Sequence, residues 1–309
     1  MEKVIKIGTR DSELALWQAH TVKNKLEALG YKTELIAVKS TGDIILDKPL
    51  YELGITGIFT KTLDIAMING EVDIAVHSMK DVPTSLPKGM VQAAVLERAN
   101  VDDILVHKGN LEFLNYSGTI ATGSLRRKAF WLNKYPKHTV VDLRGNVNTR
   151  LQKVADNDWN GAIFAKAGLE RINLIPENHI VLDWMTPAPA QGAMMVVAME
   201  NDLYSREALS HLNHTPTEIA TSIERQFLRT LEGGCTAPIG AIAKLENDKI
   251  IFKGILLNLE GTKKIGVEKT INTSDYHNFG NLCALEILEN GGKAIMISLL
   301  NENNSHEED

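Results

Sequence analysis

The apolar stretch Ile74-Ala75-Val76 runs straight into His77-Ser78-Met79-Lys80-Asp81-Val82-Pro83, so a hydroxyl, a base and an acid stand where a buried strand should end. In open α/β sheets, ligands bind in the crevice beyond the carboxyl ends of the strands, which places Lys80 and Asp81 better for a ligand than surface charges elsewhere. A solvated turn closed by Pro83 and Pro87 accounts for the same residues.

Two basic segments follow the same logic. Thr122-Gly123-Ser124-Leu125-Arg126-Arg127 leaves a strand-like run and opens a helix-like one. Its amides and hydroxyls can meet an anion there while the guanidinium groups grip carboxylates in two-pronged fashion. Leu143-Arg144-Gly145-Asn146-Val147-Asn148-Thr149-Arg150 repeats the arrangement. Solvated charges at a helix start explain either segment alone; two in succession favour a polycarboxylate or phosphate ligand. Neither G-x-x-x-x-G-K-[ST] nor G-x-G-x-x-G occurs, which removes the usual nucleotide-binding arguments. Cys235 sits on the glycine-flanked turn Glu232-Gly233-Gly234-Cys235, where a thiol activated by nearby cations could act as a nucleophile. A small buried hydrophobe is the alternative, and it is the reading for Cys283 within Leu282-Cys283-Ala284-Leu285.

Alternating strand-like and helix-like runs must position these groups. The first series has a strand over 4–8, a helix from Ser12 to Leu29 ended by Gly30, a strand over 33–38, a long loop over 40–60 and a helix over 61–68. Leu14, Trp17, Val22, Leu26 and Leu29 are expected on the packed face of the first helix. The second series has strands near 104–107, 119–122, 140–143 and 162–165 with helices near 125–133 and 147–155, a pattern that favours parallel sheets. Thr186-Pro187-Ala188-Pro189-Ala190-Gln191-Gly192 then reads as a hinge before the strand Met194–Met199. After Asn213 come a helix over 216–231, strand-like runs over 239–244, 249–257 and 264–271, and a helix near 276–288, together a small α+β unit.

The bulk figures set bounds on this reading. A chain of 309 residues, 44% hydrophobic and 23% charged, fits a folded protein of two or three domains. No apolar run reaches the length of a membrane span, the N-terminus lacks a signal peptide's apolar core, and two cysteines give no disulfide framework, so a cytoplasmic location is expected. The histidines show no H-x-x-x-H pair, and no metal site is expected. Net charge is −6, yet residues 126–171 hold ten Lys plus Arg against four Asp plus Glu. That suggests a local anion site rather than a nucleic-acid-binding domain.

Taken together, Ile7-Gly8-Thr9-Arg10-Asp11-Ser12 with Leu14-Ala15, the segment 77–83, Ser124-Leu125-Arg126-Arg127, Leu143-Arg144-Gly145-Asn146-Val147, Ala167-Gly168-Leu169-Glu170-Arg171, Gln191-Gly192-Ala193 and Leu231-Glu232-Gly233-Gly234-Cys235 closely resemble the hydroxymethylbilane synthase (porphobilinogen deaminase) family. The resemblance implies an α/β fold with two type II periplasmic-binding-protein-like lobes and a smaller C-terminal α+β domain. It places domain 1 at 1–97 plus 194–213, with a lid loop over 40–60, domain 2 at 100–190, and domain 3 at 215–309. The implied reaction joins four porphobilinogen molecules head to tail with loss of ammonia. The implied cofactor is dipyrromethane, held by a thioether to Cys235.

Each ring brings an acetate and a propionate, and the resemblance assigns the arginines to them. Asp81 is the implied catalytic carboxylate, stabilising positive charge that develops on the pyrrole nitrogen as the amine leaves. Cofactor binding falls by resemblance to Cys235, Asp81, Lys80, Thr122, Ser124, Arg126, Arg127, Arg144 and Gly145. Substrate binding falls to Arg10, Ser12, Arg144, Arg150, Arg171 and Gln191, with Lys61 in the lid. Porphobilinogen is the implied partner of a monomer that binds neither nucleic acid nor membrane. The chain departs from the family pattern at Thr56 and Thr62 around the lid, at Gly123, where a second serine is frequent, and at Ala190, where glycine is usual. Lys166 adds a charge just before Ala167-Gly168-Leu169.

Overall fold

The computed structural model describes residues 3–38, 60–231 and 237–305. Strand β1 (Val4–Arg10) buries Ile5 and Ile7 and leads into helix α1 (Glu13–Ala28). Ser12 stands at the N-cap, and Gly30, at φ +91°, ends α1 with Tyr31 N–H donating back to the Leu26 carbonyl. Strand β2 (Lys32–Val38), helix α2 (Lys61–Ile68), strand β3 (Ile74–Ser78) and strand β4 (Met90–Val95) follow. Of α1's expected face, Val22 and Leu26 are buried, but Trp17 and Leu29 are exposed and Gln18 is buried in their place.

The second series runs β5 (Asp103–His107), β6 (Thr119–Ala121), α3 (Leu125–Lys134), β7 (Thr139–Val141), α4 (Val147–Asp156), β8 (Gly161–Ala165), α5 (Lys166–Arg171) and β9 (His179–Val181). Strand β10 (Met194–Met199) and helix α6 (Leu203–Ser210) come next. They are followed by α7 (Thr215–Thr230), β11 (Ile239–Glu246), β12 (Lys249–Leu257), β13 (Lys264–Asn272), α8 (Phe279–Ile287) and α9 (Lys293–Ser305). The expected helix near 276–288 begins as a 3₁₀ segment, Thr273–Asn278, before α8.

Among the described residues, the first sheet has the order β2-β1-β3-β10-β4, the second β7-β6-β8-β5-β9 and the third β11-β12-β13. The chain thus leaves the first sheet after β4, builds the second, and returns through β10. Neither large sheet is wholly parallel: β10 runs antiparallel to β3 and β4, and β5 runs antiparallel to β8 and β9. A strand that enters from the other lobe has no helical crossover to turn it, so it arrives in reverse. Apolar clusters cover both faces of each large sheet, and Ile255 and Leu257 of β12 share a core with Trp131 and Phe130 of α3.

Candidate active site

Strands β1 and β3 are parallel neighbours, so their carboxyl ends lie side by side and bring Arg10 next to Ser78 and the 3₁₀ turn Met79–Asp81. A cleft there is lined by Arg10, Ser12, Gln18, Thr60, His77, Ser78 and Asp81. Gln18 Nε2 donates to Ser78 Oγ at 2.8 Å. The turn is fixed through its backbone. Met79 N–H donates to the Ala193 carbonyl at 3.0 Å, and the Arg225 guanidinium of α7 donates to the carbonyls of Met79, Val82 and Pro83 at 3.3, 2.9 and 2.6 Å. Burial, reinforced by the charge of Arg10, pushes the His77 imidazole down to about 4, so it is neutral near pH 7. Its Nε2 is buried without a hydrogen-bond partner.

The second lobe presents its own strand ends. Strands β7 and β8 both run parallel to β6, which brings Thr122–Ser124, Arg144–Asn146 and Lys166 to one edge. Ser124 caps α3 by accepting from Arg127 N–H, and Asn146 caps α4 by accepting from Thr149 N–H at 2.9 Å. Gly145 takes φ +112°, and a side chain there would meet Thr149 Cγ2 at 2.8 Å, so the turn requires glycine. Its carbonyl accepts from Arg150 Nε at 2.7 Å.

The two edges face one another. Burial lowers the Arg150 guanidinium to about 10, opposed by the Asp81 carboxylate of the other lobe and reinforced by Arg127, Arg144 and Arg10. Lys80 is brought down to about 8 by burial and then by Arg127, with Asp81 and Asp103 pulling the other way. Arg171 donates to the Gly192 carbonyl at 2.8 Å, lies 5.6 Å from the centre of the Trp17 ring, and is likewise lowered to about 10 by burial. Cations held this way are short of negative charge, the condition that a ligand rich in carboxylates relieves.

Several groups lie deeper than the sequence indicates. Arg126 and Arg127 are both buried against Asp103, a residue that carried no sequence signal beyond a charge at the head of an apolar run. Gln191 is fully buried, donating to the Val101 carbonyl and to Asp103 and accepting from Lys80 Nζ at 3.2 Å. Thr122 is buried, with its hydroxyl accepting from Ser124 N–H at 3.2 Å. Arg98 and Glu224 also escaped sequence reasoning. Glu224 is wholly buried, accepts both ends of the Arg98 guanidinium at 2.6 and 2.9 Å, and takes N–H groups from Ala190 and Ala243, tying both interlobe crossings to α7. Lys61 begins α2; Cys235 and the loop over 40–59 lie outside the described residues. Cys283 is buried in α8, which raises its thiol to about 11 and leaves it inert.

The donor set fits the dipyrromethane group. Guanidinium groups can meet acidic side chains, while Asp81 takes no hydrogen bond from another described residue and can accept from ring N–H groups. No group of three or more His, Cys, Asp or Glu suited to a metal ion occurs among the described residues.

Comparison with known proteins agrees with this chemistry. Residues 5–207 match the family model described as porphobilinogen deaminase, dipyromethane cofactor binding domain, and residues 219–289 match that of the porphobilinogen deaminase C-terminal domain. A porphobilinogen deaminase of Campylobacter curvus is 39% identical over 95% of this chain and 97% of its own length. A chloroplastic porphobilinogen deaminase of Oryza sativa is 42% identical over 88% of this chain and 78% of its own. Among solved structures, an ancestral cationic amino acid solute binding protein overlaps 68% of this chain and 87% of its own, at TM-score 0.45 and 15% identity. The matches to both family models, together spanning most of the sequence, and the near full-length relatives show that the chain belongs to the porphobilinogen deaminase family.

Proposed function

We propose that Asp81, set opposite Arg150 and beside Lys80, is the carboxylate that serves the condensation of porphobilinogen in this chain. The family activity is hydroxymethylbilane synthesis, a step of tetrapyrrole biosynthesis, and its cofactor is dipyrromethane. When bound, dipyrromethane supplies the pyrrole to which the first substrate unit is joined. The observation that carries the reading is the place of Asp81 on the turn at the carboxyl end of β3, lining the cleft with Arg10, Ser12 and Ser78 while taking no hydrogen bond from another described residue.

In this reading Asp81 accepts a ring N–H and stabilises the positive charge that develops as the amine departs, then takes or returns a proton as ammonia leaves. Arg10, Ser12, Arg144, Arg150 and Arg171 orient substrate carboxylates. Lys80, Thr122, Ser124, Arg126, Arg127 and Gly145 hold those of the cofactor, and Cys235 carries the covalent link. Gln191, whose side chain is committed internally, acts by holding Lys80 rather than by reaching substrate. The domain division 1–97 plus 194–213, 100–190 and 215–309 is supported by the three separate sheets. The enzyme is a transferase acting as a cytoplasmic monomer; among the described residues, no helix is long and apolar enough to cross a membrane.

Ammonia release by Asp81→Ala, followed together with intact mass, tests the assignment. The variant should fold, keep its adduct and condense almost no porphobilinogen. Near-normal turnover would refute the role.

A further inference from the structure

Arg225 lies in the second half of α7, and among the described residues its side-chain hydrogen bonds all go to the turn that carries Asp81. Nη1 donates to the Met79 and Val82 carbonyls at 3.3 and 2.9 Å, and Nη2 donates to the Pro83 carbonyl at 2.6 Å. The three oxygens stand on both sides of Asp81 in the chain, so one planar fork fixes where the turn begins and where it ends. Burial, then the charge of Arg229, lowers the guanidinium to about 10, which leaves it a cation near pH 7. No carboxylate pairs with it among the described residues. A cation kept from water without a counter-charge is costly, and what this one provides is geometry.

The same turn of α7 meets the interlobe crossings, because Glu224 accepts from Arg98 and from the Ala190 N–H. From the end of α7 at Thr230 the chain continues through Leu231-Glu232-Gly233-Gly234 to Cys235. We propose that Arg225 is a positioning residue for the condensation, registering the Asp81 turn against the helix that leads to the cofactor cysteine. The inference rests on the reading of Asp81 as the carboxylate that serves the reaction and of Cys235 as the point of cofactor attachment. The carboxylate and the cofactor then come from separate parts of the chain, and each condensation needs them at one spacing. A displacement of about 1 Å at a reacting centre is enough to cost about 100-fold in rate.

In the holoenzyme, Arg225→Gln should lower kcat about 30–100-fold, counted per adduct-bearing molecule by intact mass and measured below the unfolding transition. The porphobilinogen KM should stay within about two-fold, because Arg10, Arg144, Arg150 and Arg171 are left in place. Arg225→Lys keeps the charge without the fork and should lose about 3–10-fold in kcat at the same KM; it serves alone if Arg225→Gln does not fold. If Arg225 only fastens α7 to the first lobe, both variants should lower the unfolding midpoint and leave the rate per adduct-bearing molecule at the parental value. That result, or a raised KM with kcat intact, would overturn the proposal.

A double variant separates the inference from the reading beneath it. If Arg225 acts through Asp81, adding Arg225→Gln to Asp81→Asn should slow single-turnover extension of the adduct by less than about three-fold beyond Asp81→Asn alone. Losses that multiply would show that Arg225 acts elsewhere, and the inference would fail while the reading of Asp81 stands. A near-parental rate in Asp81→Asn alone would remove that reading, and the inference with it.

Discussion

The turn that carries Asp81 in the first lobe and the arginine edge of the second are held by opposite means. Around Asp81 the fixing contacts are to backbone, three carbonyls taken by Arg225 and one amide donating to Ala193, which leaves the carboxylate itself uncommitted. Around Arg126 and Arg127 the side chains are themselves the fixing contacts, locked to Asp103 and to carbonyl oxygens. A carboxylate kept free to meet a ligand is best positioned without spending its lone pairs. Cations that must stay out of water need a resident partner to be tolerated there.

The sharpest way to break this contrast is to compare one substitution from each side. Asp81→Asn should reduce kcat by about 10²–10³-fold while leaving the unfolding midpoint nearly unchanged. Arg127→Gln should instead cost about 3–5 kcal/mol of stability by stranding part of the Asp103 charge, which denaturant unfolding reads directly. A stability loss of that size in Asp81→Asn would show that its turn depends on the carboxylate after all.

The neutral imidazole of His77 extends the comparison to pH. Its folded pKa of about 4 lies below the ordinary 6.5, so the unfolded chain takes up a proton first as pH falls. The stability it contributes is whole above pH 6.5 and is lost progressively between 6.5 and 4, roughly 3 kcal/mol in all. His77→Asn should flatten that limb of the stability–pH curve, and an unaltered limb would assign it to another group. Lys80 acts in the alkaline direction: it loses its charge above about 8, so its hold on the cofactor carboxylates should weaken there and kcat should fall, and Lys80→Arg should move the fall upward.

The smallest expected effect lies at the hinge. Ala190 is fully buried at φ +61°, a conformation that glycine takes without cost. Ala190→Gly relieves that strain but frees the unfolded chain, and the two nearly offset, so stability should change by less than about 1 kcal/mol. Gly123 is the counter-case: a Cβ there would stand 2.5 Å from the Leu143 carbonyl oxygen, so Gly123→Ser should destabilise the Thr122–Ser124 turn in this chain.

What could be read from sequence followed the range of the interactions. Strands β10 and β12 and helix α2 have the expected ends because alternation, β-branched runs and flanking turns act within a few residues. The antiparallel entry of β5 and β10 was hidden, since strand direction depends on partners far along the chain. So were β4 and α6, which had gone unassigned. At the site, local motifs located Asp81, Arg126 and Arg144, but nothing local links Asp103 to Gln191, which stand 88 residues apart and share a hydrogen bond. Trp17 looked like core by helical spacing, yet it is exposed with Arg171 over its ring. An aromatic at a lobe boundary and one in a core have the same periodicity.

Intact mass before and after a limiting dose of porphobilinogen tests the central claim most directly. The purified chain should exceed the mass of its sequence by a dipyrromethane-sized adduct that Cys235→Ser lacks, and should then show discrete increments of one substrate unit less ammonia. A chain that weighs what its sequence dictates and gains nothing when porphobilinogen is supplied would contradict the account.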